Sequence, residues 1–234
     1  MRFGAVLFDF DGVLIESEYL GNKQIADWLT ANGYPTSVEQ SMATFMGLGK
    51  ADFLQAVERW IGGPVPETFH AARDEEDRRV MAAGIDAVAG AVEFVRALPH
   101  GLPKAIVSSS STAWIARHLE HIGLRDAFGD NLYSGREHVE RGKPAPDLYL
   151  HAAAALGMAI EDCLVIEDSP VGAAGAVASE AYVVGLCAGS HCAAGHGERL
   201  RALGVDAVAA SWGEVAALCG LPQPAVGLAQ ARPA

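Results

Sequence analysis

Asp9 and Asp11, separated by a single residue, directly follow the apolar run 5–8 and precede Gly12. A short apolar run that stops at a carboxylate and then a glycine predicts a buried strand ending in a tight turn. On a continuing strand the two side chains would point to opposite faces, so a turn at Gly12 is needed to bring both carboxylates to one site. Open α/β sheets bind ligands beyond the carboxyl ends of their strands, which makes this pair a candidate active centre. The alternative for an isolated match is a solvated acidic turn.

Two later polar segments could bind an anion. The serine run Ser108–Ser111 follows the apolar run 104–107, and its hydroxyl and backbone N–H groups could bind a phosphate or simply cap the next helix. Lys143 lies in the segment 141–147, whose two prolines would hold the loop and a helix start in a defined conformation. Taken alone, such a lysine would be read as a solvated surface charge.

A second pair of acids, Glu167 and Asp168, follows the apolar run 163–166. Together with Asp9 and Asp11 it would place hard oxygen ligands from separate chain segments at one edge of a sheet. Such a ligand set suits Mg²⁺, which keeps several waters and takes substrate phosphate oxygens as further ligands. The sequence therefore predicts a Mg²⁺ cofactor.

The elements that must position these residues follow from the hydrophobic periodicity. From residue 87 onward strands alternate with helices, which predicts βαβ units and a parallel sheet. Helical patterns alone fill the stretch after the first strand. We therefore predict an α/β fold with a Rossmann-like parallel-sheet core and an inserted all-helical cap domain. The predicted divisions are a catalytic core (1–16 and 87–220), a helical cap (17–86) and a loosely ordered tail (221–234).

Composition limits the classes of partner. The 234 residues are 50% hydrophobic and carry a formal net charge of −12, which argues against nucleic acid or an anionic membrane as a partner. No N-terminal signal is apparent, and no apolar stretch approaches the roughly 20 residues that span a bilayer, so we expect a cytoplasmic protein. A small anionic substrate could bind if local cations or a metal overcame the negative background. A monomer is the default expectation.

The cysteines show no CxxC spacing and are expected to be reduced, mostly buried small hydrophobes. They are Cys163, Cys187, Cys192 and Cys219. Two of them cluster in sequence with His191 and His196, in the segment 187–196. A zinc site there is the less favoured reading because the usual paired-ligand spacing is absent, and a flexible loop beside the active site is preferred.

Four segments, in this order and spacing, resemble the motifs of the haloacid dehalogenase superfamily, in its phosphatase and phosphomutase branch with a small helical cap. They are DxDGxLxxSE at 9–18, the serine at the end of a strand, GKPxPD at 142–147 and hhxEDS at 164–169. The resemblance covers nearly the whole chain up to about Gly220. It implies a Rossmann-like core, an inserted cap and phosphoryl-transfer chemistry.

The resemblance also implies roles for the acids. Asp9 would be the nucleophile that becomes an aspartyl phosphate, and Asp11 would be the general acid and then the general base. Mg²⁺ would be held by Asp9, the backbone carbonyl of Asp11, and Asp168, with Glu167 binding it directly or through water. Most of the catalysis would then be positioning and electrostatic stabilisation.

Substrate contacts are implied in the same way. Lys143 would neutralise charge between the nucleophile and the phosphoryl group, and Ser108 would donate to a phosphoryl oxygen. Ser109 could take that role instead, because the register of the serine run is ambiguous. Gly12 is a further candidate contact. Lys50, in a segment that resembles the family's substrate-contacting cap loop, could bind a sugar hydroxyl or a distal anion, or could be an exposed lysine at a helix start.

The activity within the branch depends on the residues after the first motif. β-Phosphoglucomutases carry a histidine at the hinge into the cap, where this chain has 20–22, Leu-Gly-Asn, and this favours hydrolysis. Asp11 disfavours carbon–halogen hydrolysis, and no cap lysine supports a phosphonatase. We expect Glu16 to be a hinge residue. The overall likeness is to enzymes acting on sugar phosphates and 6-phosphogluconate. The expected function is thus Mg²⁺-dependent hydrolysis of a small phosphomonoester. A phosphomutase is the alternative hypothesis, and a non-catalytic binding protein of the same fold is the third.

Overall fold

A computed structural model describes residues 2–46, 48 and 50–221, with the side chains of Lys50 and Ala51 outside the description. Six parallel strands form one sheet in the order β3-β2-β1-β4-β5-β6. The strands are β1 Ala5–Phe8, β2 Lys104–Ser108, β3 Leu132–Ser134, β4 Cys163–Glu167, β5 Tyr182–Leu186 and β6 Ala207–Ala209. Every pair of neighbouring strands is parallel, which confirms the predicted parallel α/β core.

Helices cover both faces of the sheet and form the insertion after β1. They are α1 Ser17–Ala31, α2 Val38–Phe45, α3 Lys50–Ile61, α4 Glu67–Ala83, α5 Ala91–Ala97, α6 Thr112–His121, α7 Arg125–Phe128, α8 Asp147–Ala155, α9 Pro170–Ala178, α10 His196–Ala202 and α11 Trp212–Leu218. None of the helices in the described part of the chain has both the length and the apolar character needed to cross a membrane. The predicted tail lies outside the described residues, apart from Leu221.

Strand β1 lies at the centre of the sheet and is fully buried. Its two neighbours are level with it at their carboxyl ends, since Phe8 pairs with Ile106 of β2 and with Ile166 of β4. Chain order reverses around β1, which is the position where open α/β sheets bind ligands. The residues that follow β1, β2 and β4 therefore emerge side by side at one edge.

Alternate residues of β1 bury against opposite helix layers. Phe8 packs in an aromatic group with Phe94, Phe128 and Trp212, whose ring centroids lie 5.5 to 6.1 Å from its own. Leu7 belongs to the cluster on the other face. Because successive side chains of a strand point to opposite faces, both clusters fix the end of β1 in space.

The inserted helices have a hydrophobic cluster of their own, which includes Ile25, Leu29, Val57 and Phe69. Helix α2 begins with a capping box in which Ser37 accepts from the backbone N–H of Gln40. The four helices α1 to α4 thus form a small packed unit, in agreement with the predicted helical insertion.

The two connections between this unit and the sheet are bonded to each other. Ile15 and Ala87 form an antiparallel bridge. The backbone N–H of Glu16 donates to the Asp86 carbonyl at 3.0 Å, and that of Val88 donates to the Leu14 carbonyl at 3.0 Å. The chain therefore enters and leaves the helical insertion through a short paired ribbon.

Some local details differ from the prediction. The apolar pattern predicts one helix near 89–98 and another over 198–203. Helix α5 begins at Ala91 instead, because Gly90 before it has a φ of +89°, and helix α10 begins two residues early, at His196. The four-residue helix α7 was not predicted, since a single turn is too short to show helical periodicity.

Candidate active site

Lys143 lies between two buried carboxylates at the edge of the sheet. Its Nζ atom is 2.5 Å from Asp9 Oδ1 and 2.5 Å from Glu167 Oε1. The lysine comes from the loop before α8, Asp9 from the end of β1 and Glu167 from the end of β4. Burial alone would lower the pKa of Lys143, but the charges of Asp9 and Glu167 raise it well above its ordinary value. Lys143 is therefore a fixed positive charge against Asp9.

Glu167 is fully buried, and both of its oxygens are occupied by protein donors. Oε1 accepts from Lys143 and from the Tyr149 hydroxyl at 2.6 Å. Oε2 accepts from the backbone N–H groups of Asp168 and Ser169, at 3.1 and 3.2 Å, and from the Ser169 hydroxyl at 3.2 Å. A carboxylate with this many donors has little free capacity for a metal, and its position suits holding Lys143.

Asp9, Glu167 and Asp168 offer carboxylate oxygens within 4.8 Å of one another. Burial, followed by the charge of Glu167, raises the pKa of both Asp9 and Asp168 well above the ordinary value. Asp168 Oδ1 is buried and finds no hydrogen-bond partner among the described residues. Excess buried negative charge and an unpartnered carboxylate oxygen fit a hard divalent cation such as Mg²⁺, so the residues present are suited to the predicted cofactor.

The Asp11 carboxylate is held by four neutral donors. Oδ1 accepts from the Ser17 hydroxyl at 2.8 Å and the Trp114 indole N–H at 3.1 Å. Oδ2 accepts from the Ser108 and Ser110 hydroxyls at 3.2 and 2.7 Å. Ser17 opens the first inserted helix, whereas the other donors follow β2 or lie on α6. The Asp11 side chain is therefore fixed at the junction between the sheet and the helical insertion.

Gly12 permits the turn that separates the two aspartates. Its φ is +81°, a backbone conformation that residues with a Cβ rarely adopt. A Cβ at this position would overlap the Asp168 carboxylate and press on the His191 ring. The glycine is required both by the turn and by the close approach of Asp168.

The structure brings together most of the residues selected from the sequence, but it divides the serine run. Ser108 is buried against Asp11, and its hydroxyl accepts from the backbone N–H of Ser110 at 3.0 Å. Ser109 is exposed, and Ser110 takes the second place beside Asp11. The prediction for Lys50 concerns a side chain outside the described residues.

Sequence reasoning missed Ser17 and Trp114 as partners of Asp11. Ser17 was visible inside the first motif, eight residues after Asp9, but nothing in the local pattern pointed its hydroxyl at Asp11. Trp114 is 103 residues from Asp11, and only the tertiary packing of α6 brings them together. A tertiary contact of this kind leaves no signal in a single sequence.

The loop 187–196 contacts the same site. The His191 Nε2 atom lies 2.7 Å from Asp168 Oδ2, and His196 Nε2 lies 2.6 Å from the Asp168 carbonyl oxygen. Ser190 donates from its backbone N–H to Glu16 Oε2 at 2.9 Å, next to the paired ribbon. The loop was predicted to lie beside the active site, and the structure confirms that position.

Glu18, in the first turn of α1, faces the acids of the sheet edge. Burial, followed by the charges of Asp168 and Asp11, raises the pKa of Glu18 to about 7. Three acids and a histidine therefore lie close together, and the ionisation of Glu18 moves from acidic to neutral pH.

Comparison with known proteins identifies the family and several relatives. Hexitol phosphatase A from Escherichia coli is 30% identical over 189 residues, covering 80% of this chain and 84% of the relative. The 6-phosphogluconate phosphatase of the same organism is 27% identical over 192 residues, covering 81% and 85%. The chloroplastic protein Suppressor of Quenching 1 from Arabidopsis thaliana is 34% identical over 188 residues, and this chain spans only 17% of its length.

Solved structures share the whole architecture. A hydrolase of the haloacid dehalogenase family from Deinococcus radiodurans, with bound phosphate and sodium, is 34% identical and superposes with a TM-score of 0.79, covering 94% of this chain and 96% of that one. A Thermotoga maritima protein provisionally assigned as a β-phosphoglucomutase is 25% identical, with a TM-score of 0.72 and coverage of 92% and 98%. The family model for haloacid dehalogenase-like hydrolases matches residues 3–179, which confirms the family inferred from the four motifs. The chain belongs to the haloacid dehalogenase-like hydrolases.

Proposed function

We propose that this protein is a Mg²⁺-dependent phosphatase that hydrolyses a small phosphomonoester of the sugar-phosphate type through an aspartyl phosphate on Asp9. The observation that carries the proposal is the contact of Asp9 with Lys143 beside the unpartnered oxygen of Asp168. It provides a nucleophile, a fixed cation and a cation-binding carboxylate at one sheet edge. Phosphatase-named relatives that match most of this chain support the same reading.

Asp9 and Asp168, with the backbone carbonyl of Asp11, would hold the magnesium ion. When bound, Mg²⁺ neutralises phosphate charge and so allows an anionic nucleophile to approach phosphorus. Asp9 Oδ then forms a bond to phosphorus as the bond to the leaving alcohol oxygen breaks. Lys143 keeps the Asp9 carboxylate in place and offsets the negative charge on the transferring group.

Asp11 supplies and recovers the proton. Its protonated carboxyl gives a proton to the leaving alcohol oxygen, and its carboxylate then removes a proton from the water that attacks the aspartyl phosphate. The net products are the alcohol and inorganic phosphate, and both aspartates return to their starting state. The Ser108 and Ser110 hydroxyls, which contact Asp11, are positioned to orient this carboxyl group.

Glu167 is proposed to act through Lys143. Its two oxygens accept from lysine, tyrosine, serine and backbone donors, so its negative charge orients Lys143 rather than contacting substrate. This modifies the expectation that it binds the metal directly. Coordination through water remains compatible with its position near Asp9 and Asp168.

The test is phosphate release by the wild-type protein and Asp9→Asn, with and without Mg²⁺. We expect release from a panel of sugar phosphates, lost on chelation and reduced to background in Asp9→Asn, whose amide cannot form the acyl phosphate. Undiminished turnover by Asp9→Asn would overturn the mechanism. A protein that binds Mg²⁺ yet hydrolyses none of a broad phosphate panel would instead support the non-catalytic reading.

The phosphomutase alternative is favoured by the likeness to the Thermotoga maritima structure. Against it, Asn22, within the stretch where mutases carry their histidine, is buried and structural. Its side chain donates to the Glu18 carbonyl at 2.9 Å and accepts from the Ser41 hydroxyl at 3.1 Å. Incubation with β-glucose 1-phosphate and a bisphosphate primer distinguishes the two, because a mutase yields isomerised product without free phosphate.

A small phosphorylated metabolite is thus the proposed partner. The expected cytoplasmic location, the monomeric state and the boundaries 16/17 and 86/87 between core and cap stay predictions. The net charge of −12 continues to argue against nucleic acid and anionic membranes.

A further inference from the structure

The loop between β5 and α10 brings three soft or borderline metal ligands together. His191 and His196 are buried, at 3% and 2% exposure, and Cys192 is half-buried. One imidazole nitrogen of each histidine and the Cys192 sulfur lie within 4.8 Å of one another. We call these three residues the His–Cys cluster. The phosphatase mechanism proposed above does not use any of them.

The spacing of His191 and Cys192 matches that of neighbouring ligands on a tetrahedral ion. Ligand bonds of about 2.0–2.3 Å around zinc place neighbouring ligand atoms about 3.3–3.6 Å apart, and His191 Nε2 and Cys192 Sγ are 3.4 Å apart. His191 Nε2 and Asp168 Oδ2 are at the hydrogen-bonding distance of 2.7 Å. The Asp168 side chain must therefore move away from His191 before its oxygen could bind the same cation.

We propose that the His–Cys cluster, with Asp168 Oδ2 as the fourth ligand, is a binding site for a soft divalent cation, Zn²⁺ in the first place, distinct from the Mg²⁺ site. Thiolate and imidazole ligands select zinc over magnesium, which prefers oxygen. The His191 ring is buried, and its Nε2 atom faces both the Cys192 sulfur and the Asp168 carboxylate.

Binding requires definite changes in protonation and bonding. The Cys192 thiol must release its proton to solvent, because the thiolate is the ligand. His191 must exchange its contact with Asp168 for the cation. The His196 ring is oriented by the Asp168 carbonyl oxygen at 2.6 Å and by Arg199 at 3.1 Å, and the cation replaces one of these two contacts.

The two carboxylate oxygens of Asp168 place the two cation sites in competition. Oδ1 is unpartnered among the described residues, whereas Oδ2 lies 2.7 Å from His191 Nε2. One carboxylate shared by two divalent cations binds each of them less tightly, and the two cations also repel each other. Zinc on the His–Cys cluster therefore weakens Mg²⁺ binding, and by reciprocity Mg²⁺ weakens zinc binding by the same factor.

Cobalt(II) titration of the metal-free full-length protein tests the site without any activity assay. Co²⁺ replaces zinc in such sites and reports its ligands through absorption. We expect about one equivalent to give the thiolate-to-cobalt charge-transfer band together with intense visible bands of a tetrahedral ion. Added Zn²⁺ should remove both.

Variants identify the ligands. Cys192→Ser should lose the charge-transfer band, whereas the matched control Cys219→Ser, at a buried cysteine at the end of α11, should keep it. Asp9→Asn should keep it as well. Absence of the band from the wild-type protein, or its persistence in Cys192→Ser, would overturn the proposal. If Cys192→Ser does not fold, alkylation of the wild type decides: Zn²⁺ should slow the labelling of Cys192, and equal labelling of Cys192 with and without zinc would contradict the site.

The competition between Zn²⁺ and Mg²⁺ can also be measured by phosphate release, and this test rests on the proposed function. We expect Zn²⁺ to raise the Mg²⁺ concentration that gives half-maximal phosphate release at least tenfold in the wild type, and Cys192→Ser to lose most of this effect. Inactive protein with a normal cobalt spectrum would contradict the proposed function and leave the zinc site standing. Active protein that lacks the cobalt spectrum would contradict the zinc site and leave the proposed function standing.

Discussion

The two sides of the active site hold their aspartates by different means. On the side of β4, Asp9 is buried and bound by the charged Lys143, which Glu167 holds in turn. On the side of β2, Asp11 is held by hydroxyl and indole donors that carry no charge. A nucleophile gains from a fixed, desolvated environment, whereas a group that gives and takes a proton must change its charge in place. The ionic side therefore holds its carboxylate through a charged partner, and the neutral side holds its carboxylate through uncharged donors alone.

The largest expected effect is on the ionic side. Lys143→Met leaves Asp9 and Glu167 buried without their cation, and breaking such a pair costs about 3–5 kcal/mol in free energy of unfolding. Phosphate release should also fall about 100- to 1000-fold, by analogy with the loss of one charge-stabilising donor. Lys23→Met, which removes an exposed ion pair with Asp27, is the matched control and should leave the free energy of unfolding close to that of the wild type. Equal losses of unfolding free energy in the two variants, measured by urea unfolding, would contradict the difference between the buried and the exposed ion pair.

The neutral side should respond in activity rather than stability. Asp11→Asn keeps an acceptor for the surrounding hydroxyls, so its unfolding midpoint should stay near that of the wild type, while turnover of a sugar phosphate falls about 100-fold or more. With 4-nitrophenyl phosphate the rate of phosphoryl transfer to Asp9, the first step, should fall less, because nitrophenolate leaves without a proton. A burst of nitrophenol in rapid-mixing experiments measures that step. A loss of the same size for both substrates would count against Asp11 as the general acid.

Glu18 lies between the two sides and gives a pH-dependent test. Its folded-state pKa of about 7 exceeds the ordinary 4.5, so ionisation of Glu18 destabilises the metal-free fold as pH rises from 4.5 to 7, and the loss is complete above pH 7. At about 1.4 kcal/mol per pKa unit, Glu18→Gln should gain about 1–3 kcal/mol relative to wild type at pH 8 and almost nothing at pH 4.5. Thermal unfolding in a chelator measures this gain. Glu58→Gln, at an exposed glutamate of α3, should show no such pH dependence.

The smallest expected effect concerns one donor on the neutral side. Trp114→Phe removes the indole N–H that donates to Asp11 and leaves three hydroxyl donors, so we expect a loss of about 1 kcal/mol, or several-fold in turnover. Trp60→Phe removes an equivalent indole bond, to Thr36 at 2.9 Å, inside the helical insertion, and should leave turnover unchanged. Equal turnover in the two variants would contradict a role for Trp114 in positioning Asp11.

Sequence patterns predicted the sheet and the positions of its acids because both depend on local order. An apolar run that ends in Asp9, Ser108 or Glu167 shows directly where a strand stops, and a parallel sheet then aligns those ends. The predictions at these positions needed no knowledge of tertiary contacts. Family resemblance added the order of the motifs along the chain.

The partners of each acid could not be predicted in the same way. Nothing near Glu167 in sequence shows that Tyr149 and Lys143 occupy its Oε1 atom, so its interpretation as a metal ligand did not anticipate the donors around it. The choice between Ser109 and Ser110 depends on how the chain turns after β2. Contacts across 100 residues are set by packing, and periodicity does not record them.

The paired ribbon between the sheet and the helical insertion limits how the insertion can move. Two chain segments bonded side by side, through the Ile15–Ala87 bridge and the Glu16–Asp86 hydrogen bond, bend across their plane more easily than they twist or slide. The insertion should therefore rotate about a single hinge axis rather than turn freely, as it would on two unpaired linkers. Ser17 directly follows the ribbon, so its hydroxyl should move little relative to Asp11 while the distant helices of the insertion move more.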